Sequence, residues 1–155
     1  MKTASLLYAL LTCLTLPAQA ASLVDAAHAS AQCVLTSREP ALRLIGDATA
    51  WQALSAEGPL PEFVTEPDWQ KQTILVLTRG VRPSAGYALS LKAEHLQGKT
   101  LVLDIAEDTP PAGAMTAQVI TQPCLFLTLR KQGWTQIQIR AADTHARLGQ
   151  VRRQP

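Results

Sequence analysis

The sequence has little charge, and neither sign dominates it. Charged residues make up 17% of the 155 positions, and the formal net charge at pH 7 is +2. Lys2 is the one charged residue in the segment 1–20, so the rest of the chain carries +2 − 1 = +1. A chain this close to neutrality offers no electrostatic footprint for a nucleic acid or a polyanionic substrate. We therefore predict no nucleic-acid partner.

Catalytic motifs are also missing. There is no Gly-x-Ser-x-Gly nucleophile turn, no His-Glu-x-x-His zinc motif and no Gly-rich phosphate loop. The adjacent acids Glu107 and Asp108 end a predicted strand before two prolines, where acids usually mark a solvated turn. Ser84 lies in a turn, and no histidine follows it at a recognisable spacing. We predict no catalytic residue and no enzyme activity.

Metal-binding patterns are equally scarce. Of the 3 cysteines, Cys13 lies in an N-terminal apolar segment, and the other two are too few for a structural zinc site. No Cys-x-x-Cys or His-x-x-x-His spacing occurs. The histidines stand apart from one another and from the cysteines: His28, His95 and His145. The sequence therefore predicts no metal site and no cofactor.

The two remaining cysteines, Cys33 and Cys124, can pair if the chain is exported to an oxidising compartment. We predict one disulfide between them, which would tie the start of the domain to a late strand. In the chain-entropy view such a bridge stabilises the fold by at most about 4–5 kcal/mol. The alternative is two unrelated buried thiols.

The first 20 residues have the pattern of a secretory signal peptide. Lys2 precedes an apolar run from Leu6 to Leu16, Pro17 interrupts it, and 18–20 reads Ala-Gln-Ala. The run is shorter than the ~20 residues that span a bilayer, so no stable membrane insertion is expected. Cys13 sits in the middle of the run, which argues against lipidation. We predict cleavage after Ala20 and a periplasmic or secreted location.

Period-two alternation of apolar residues dominates from residue 73 onward. The continuously apolar run 73–77 indicates a central strand buried on both faces. Further predicted strands cover 41–46, 87–93, 100–106, 115–121, 125–129 and 135–140. This pattern predicts a mainly β fold: an antiparallel sheet sandwich or open barrel of about six to seven strands with one short helix.

The helix is predicted over 47–58, with Asp47 as its N-cap and Gly58 after its end. A loop containing three prolines follows over 59–72. The short Gly-containing separators 97–99 and 131–133 each predict a hairpin.

Three loop motifs then occur in order between the predicted strands. They read Gly-Val-Arg-Pro-Ser-Ala-Gly-Tyr over 80–87, Pro-Pro-Ala-Gly over 110–113 and Thr-Gln-Pro over 121–123. Together with the flanking strands and the preceding helix, over about residues 42–130, they resemble the C-terminal domain of the protease complex subunit PrcB family. Ala85 departs from that pattern, which usually has glycine there. We expect Gly86 to be the essential glycine and Ala85 to be tolerated.

These patterns and the resemblance together predict four segments. Residues 1–20 are the signal peptide, 21–40 an N-terminal lead-in, 41–141 a PrcB-like β domain and 142–155 a flexible basic tail. The tail is basic because it contains Arg147, Arg152 and Arg153 against the single acid Asp143.

The resemblance also implies an exported, non-catalytic accessory domain. The founding association of the family is with a protease complex, so our first hypothesis is a protein-binding domain that assists the assembly or stability of such a complex, with a peptidase subunit as its partner. The predicted partner-binding loop contains Arg82, Pro83, Ser84, Gly86 and Tyr87. Pro111 and Gly113 belong to a second predicted loop. Arg82 would pair with a partner carboxylate, since arginine and tyrosine are favoured at interfaces.

Two alternatives remain open at the level of sequence. The stretch 82–91 is loosely similar to one loop of chagasin-like peptidase inhibitors, with Arg130 and Trp134 loosely resembling another. Such an inhibitor requires its loops to meet at one end of the sandwich. The other alternative is a structural envelope protein of unknown ligand, which would need a concave apolar pocket between its sheets.

Overall fold

The computed structural model describes residues 21–35 and 37–153. The predicted signal peptide, with Cys13 and the bond after Ala20, lies outside the described residues on its N-terminal side. No helix within the described ranges is long and apolar enough to cross a membrane.

The described chain forms two four-stranded sheets and one helix. The first sheet has the order β1-β6-β3-β2 and is antiparallel throughout. The second has the order β4-β5-β7-β8, in which β5 and β7 run parallel. The elements are β1 (Val24–Ser30), β2 (Ala41–Ile45), α1 (Ala48–Glu57), β3 (Gln72–Thr78), β4 (Ala88–Gln97), β5 (Thr100–Asp108), β6 (Cys124–Arg130), β7 (Gln136–Ala141) and β8 (Arg147–Arg152). The predicted mainly β sandwich with one short helix is confirmed, and neither sheet closes into a barrel.

Burial on both faces explains the continuous apolar run in β3. One face of β3 and β6 meets the second sheet across an inter-sheet core, and the opposite face packs on α1 and the segment around Val34. The inter-sheet core contains Leu75, Leu77, Leu89, Leu101, Leu103, Ile105, Leu125, Leu127, Leu129, Trp134, Ile137 and Ile139. The helix-side core contains Val34, Leu35, Ile45, Leu54, Ile74, Val76, Cys124 and Phe126.

Helix α1 begins after Asp47, whose side chain accepts a 2.8 Å hydrogen bond from the Ala50 amide. This hydrogen bond confirms the predicted N-cap.

Two segments outside the predicted strands also form strands. In the predicted lead-in, β1 pairs with β6 from Val24 to Ser30. In the predicted flexible tail, β8 pairs with β7, and its Leu148 and Val151 pack against the inter-sheet core. Both are edge strands with few large apolar residues, so their stability depends on backbone pairing with a neighbour that their own sequence does not reveal.

Two connections also differ from expectation. The 97–99 hairpin is confirmed, since Gln97 pairs with Thr100 across Gly98. The prediction of a hairpin at 131–133 is wrong. Strands β6 and β7 belong to different sheets, so this segment crosses from one sheet to the other. Residues 115–120, expected to start a weak strand, run as a loop, and Thr121 makes an isolated bridge to Arg82.

A disulfide joins Cys33 to Cys124, with the two Cα atoms 5.0 Å apart. Cys124 is fully buried at the start of β6. The bond holds the segment containing Val34 and Leu35 against the outer face of the first sheet. It agrees with the predicted pairing.

The parallel pair β5 and β7 is tied by an ion pair on the outer face of the second sheet. Asp104 accepts hydrogen bonds from Arg140 Nε at 2.8 Å and from its Nη2 at 3.0 Å. The Asp104 side chain is only 9% exposed. The hydrogen bonds from Arg140 lower the pKa of the Asp104 carboxyl below its ordinary value of 3.8, although desolvation opposes this.

We expect the variant Cys33→Ala/Cys124→Ala to be less stable than the wild type by up to about 4–5 kcal/mol, because the bridge closes a long loop. Urea denaturation with and without reductant measures this, and reductant should leave the variant's own transition unchanged. In the wild-type chain from Ala21 onward, thiol labelling of the denatured, unreduced protein should find no free thiol. Two labelled thiols would refute the bridge.

We expect Asp104→Asn to lower the stability most at neutral pH. Because the folded-state pKa of Asp104 is depressed, its contribution is complete above the ordinary value of 3.8 and disappears as the pH falls through the folded-state pKa. Thermal unfolding between neutral and acidic pH should therefore show the wild-type and variant curves converging in acid. Asp143→Asn, which alters an exposed acid on the neighbouring turn, is the control. A pH-independent difference would contradict this linkage.

Candidate functional site

Two of the family-like loops lie side by side at one end of the sandwich. We call residues 79–87 and 109–121 the paired loops. Arg82 and Thr121 exchange two backbone hydrogen bonds of 2.8 and 3.0 Å, and the Ala85 amide donates to the Ala117 carbonyl at 3.0 Å. The loops thus form one backbone-linked surface.

Ser84 and Thr121 make the buried framework of this surface. Both residues are buried, and Thr121 Oγ1 donates a 2.9 Å hydrogen bond to the Ser84 carbonyl. The Ser84 hydroxyl donates locally to the Ala85 carbonyl. The structure therefore places Ser84 beneath the surface, while Pro83 beside it is exposed.

Gly86 has the positive φ that was expected of the essential glycine in the first loop motif. Its φ is +93°, and a Cβ there would lie 2.9 Å from Pro110 and 3.6 Å from Thr116 on the other loop. Glycine is needed both for the backbone angle and for the close approach. Ala85 has no positive φ, so alanine is accommodated at the position where the family pattern has glycine.

The Arg82 guanidinium bonds to other groups of the same chain. It pairs with Glu107 at the end of β5 and donates to the carbonyls of Arg79 and Val81 at 2.9 and 3.1 Å. Arg79 Nε lies 3.7 Å from the same carboxylate. Glu107 thus supplies Arg82 with a carboxylate from within the chain, and a partner carboxylate would have to compete with this ion pair.

Tyr87 is partly buried and lies next to this cluster. The Arg82 Cζ atom is 5.8 Å from the centre of the Tyr87 ring, within the range of a cation–π contact. Arg82 therefore links Glu107 on β5 to Tyr87, the residue just before β4. The arrangement fixes the position of the first paired loop.

The second paired loop begins with an exposed turn. Ala114 donates a 3.0 Å backbone hydrogen bond to Pro111, and Gly113 takes a φ of +79°. Pro111 and Gly113 are both exposed, so the structure leaves these two predicted residues accessible.

The same loop carries three exposed large apolar side chains, of which sequence reasoning placed only the first, Met115, in a contact loop, over 112–115. Met115 is 102% exposed, Val119 52% and Ile120 69%. The segment resembled a weak strand, which would have buried part of these side chains. The available signal was the interruption of the apolar residues by Thr116 and Gln118, between two proline-containing motifs.

An open cleft of about 670 Å³ lies beside the paired loops. Leu89 and Ile105 form part of its floor, while Arg79, Lys92 and Glu107 are among its charged residues. The inter-sheet core fills the centre of the sandwich, and this cleft lies at its edge, where Thr109 and Asp143 also line it. Within residues 21–35 and 37–153, no group of three or more histidine, cysteine or acidic side chains could hold a metal ion.

The residues that suggested a peptidase inhibitor do not join this surface. Trp134 is 1% exposed and donates its indole N–H to the Arg130 carbonyl at 2.7 Å. The Lys131 amide, next to Arg130, donates to the carbonyl of Lys71 just before β3, whereas the paired loops lie at the opposite end of β3. The required meeting of inhibitory loops at one end is therefore not observed.

The family model described as PrcB C-terminal matches residues 73–130. The matched segment runs from β3 through β6 and contains both paired loops, whereas α1 and the following loop lie outside it. No curated protein and no solved structure gives a significant match to the chain. Residues 73–130 therefore match the PrcB C-terminal family that the three loop motifs predicted.

Proposed function

We propose that this chain is an exported, non-catalytic accessory domain that binds a partner protein through its paired loops. The PrcB C-terminal match suggests a role related to a protease complex. The proposed partner is accordingly a peptidase subunit, whose assembly or stability the domain assists.

The observation that carries this proposal is the exposure of Met115, Val119 and Ile120 on one loop. Large apolar side chains that remain in water on a folded domain favour association with another surface. Methionine also adapts its shape to an irregular partner. These three residues therefore supply the apolar contacts of the proposed interface.

The paired loops are well suited to such binding because their backbone is already fixed. The hydrogen bonds from Arg82 to Thr121 and from Ala85 to Ala117 connect the loops before any partner arrives. A surface ordered in advance loses less conformational entropy on binding. Gly86 permits the close packing of the two loops.

Arg82 then acts as a positioning residue. Its guanidinium holds the first loop to Glu107 and lies near the Tyr87 ring. This role differs from direct recognition, because the charge is neutralised within the chain.

The proposed export is supported by the disulfide between Cys33 and Cys124. Disulfides form and persist in oxidising compartments outside the cytosol. An exported location would also bring the domain to a surface or secreted peptidase.

We expect Met115→Ser/Val119→Ser/Ile120→Ser to lose the partner while remaining folded, because all three side chains are exposed. Affinity capture from the exported fraction of the native cells, quantified by mass spectrometry, should show a peptidase subunit retained by the wild type and reduced at least about tenfold by the variant. Leu96→Ser, which changes a 46% exposed leucine near the opposite end, should retain it. Equal retention by all three proteins, or no peptidase subunit with the wild type, would contradict the proposal.

We expect Arg82→Ala and Glu107→Gln to weaken partner capture by similar factors, because each breaks the same ion pair. Isothermal titration calorimetry with the captured subunit would measure both. Lys92→Ala, which removes a cation from the adjacent cleft, is the charge-matched control for Arg82. A large loss with Arg82→Ala and none with Glu107→Gln would instead show that Arg82 touches the partner directly.

A further inference from the structure

The last arginines of the predicted basic tail are held in place by β8. This strand pairs with β7, and beyond its end the Arg153 amide donates a 3.0 Å hydrogen bond to the Thr135 carbonyl. Gly149 of β8 also approaches β2, since a Cβ on this glycine would lie 3.6 Å from Leu42 Cδ2. Strands β2 and β8, one edge strand from each sheet, therefore meet along one side of the sandwich.

A cleft of about 610 Å³ opens where these two strands meet, and we call it the basic cleft. Its lining includes Leu42, Leu44 and Val151, which pack against the inter-sheet core and give it an apolar floor. One lining residue is an acid, Asp47, whose carboxylate caps α1. Four lining residues are cations, namely Arg43, Lys131, Arg152 and Arg153.

Acids within the chain neutralise only part of this charge. Arg43 forms an ion pair with Glu57 at the end of α1. The ion pairs among residues 21–35 and 37–153 do not include Lys131, Arg152 or Arg153. Like charges that line one cleft repel each other, and an anion placed among them relieves the repulsion.

Two of these three cations bond to neutral groups. The Lys131 ammonium donates to the carbonyls of Gly46 and Trp69 at 2.7 and 2.5 Å. Arg152 Nε donates to the Gln136 side-chain oxygen at 3.1 Å. An ammonium has three N–H donors and a guanidinium five, so both side chains keep donors for a ligand.

Arg153 is positioned in a similar way. Its guanidinium donates to the Lys131 carbonyl, and its Cζ atom lies 5.0 Å from the centre of the Trp134 ring. These contacts orient the cation without cancelling its charge. The basic cleft therefore holds three ordered cations whose partners in the described chain are neutral.

A neighbouring cleft limits the length of the anion that fits. Lys131 also lines this second cleft, where Asp25 and Asp68 lie. A long polyanion that continued past Lys131 would meet these two acids. The arrangement therefore favours a short anionic ligand over a nucleic acid, in agreement with the low net charge of the whole chain.

We propose that the basic cleft binds a short acidic peptide segment of a partner protein. Its carboxylates would pair with Lys131, Arg152 and Arg153, and an aliphatic side chain between them would cover Leu42 and Val151. The cations come from separate segments around an apolar floor, so one inorganic ion would reach only some of them and leave the floor bare. This contact is additional to the paired loops and does not depend on the proposed function.

The test uses a coumarin-labelled, amidated pentapeptide with leucine at its centre and glutamate at the other four positions. Fluorescence anisotropy with the chain from Ala21 onward should show saturable binding that weakens as NaCl rises from about 50 to about 500 mM. Arg152→Glu should weaken binding at least about tenfold. Arg147→Glu makes the same charge change at the other end of β8 and should have little effect; both arginines are exposed, so both variants should fold.

A second variant should strengthen binding. Glu57→Gln removes the internal partner of Arg43 and makes a fourth cation available in the basic cleft, so the peptide should bind at least about twofold more tightly. Glu62→Gln, which changes an exposed acid on the loop after α1, is the control and should leave binding unchanged. A gain of affinity of this kind does not arise from a variant that fails to fold.

Matched ligands distinguish the other occupants. The same peptide with glutamine in place of glutamate should not bind, and equal binding would overturn the proposal in favour of apolar adhesion. Phosphate or citrate that displaces the acidic peptide at equal ionic strength would overturn it in favour of a small-anion site. Absence of peptide binding, or equal losses with Arg152→Glu and Arg147→Glu, would also overturn it. No peptidase subunit is present in this assay, so its outcome is independent of partner capture by the paired loops.

Discussion

The antiparallel pairing of β3 with β6, buried on both faces, is the constraint on which the rest of the structure depends. It places Gln72 opposite Arg130 and Thr78 opposite Cys124. The end of β3 and the start of β6 therefore lie together, and the loops that leave them must run side by side. The inter-sheet core covers one face and α1 covers the other, so displacement of either strand would expose apolar surface on both sides.

The proposed binding surface follows from this pairing. Arg82 and Thr121 are linked because their loops emerge from neighbouring strands, while Glu107 approaches from the second sheet. The family match covers this same unit, from β3 through β6. Rigid strands beneath the loops allow the apolar side chains to remain exposed without loss of the fold.

Much of this architecture could be predicted because local patterns agreed with the final packing. The apolar run of β3, the alternation in β4 and β5, and the Asp47 cap all have local signals. The errors occur where a local pattern has more than one tertiary solution. The Gly-containing segment 131–133 could form a hairpin or cross between sheets, and the burial of Trp134 accompanies the crossing. Strand β1 was missed because alanine alternation gives little contrast.

The sequence by itself determined the mainly β class, most strand positions, the loop motifs of the PrcB C-terminal match and the two cysteines available for a bridge. Only the tertiary structure decided that Arg82 faces Glu107, which is 25 residues away along the chain, and that Met115 and Ile120 remain exposed. Periodicity reports which face of a strand is apolar. It does not report which distant group meets a loop, because that depends on the order of strands in the sheets and on how the two sheets pack.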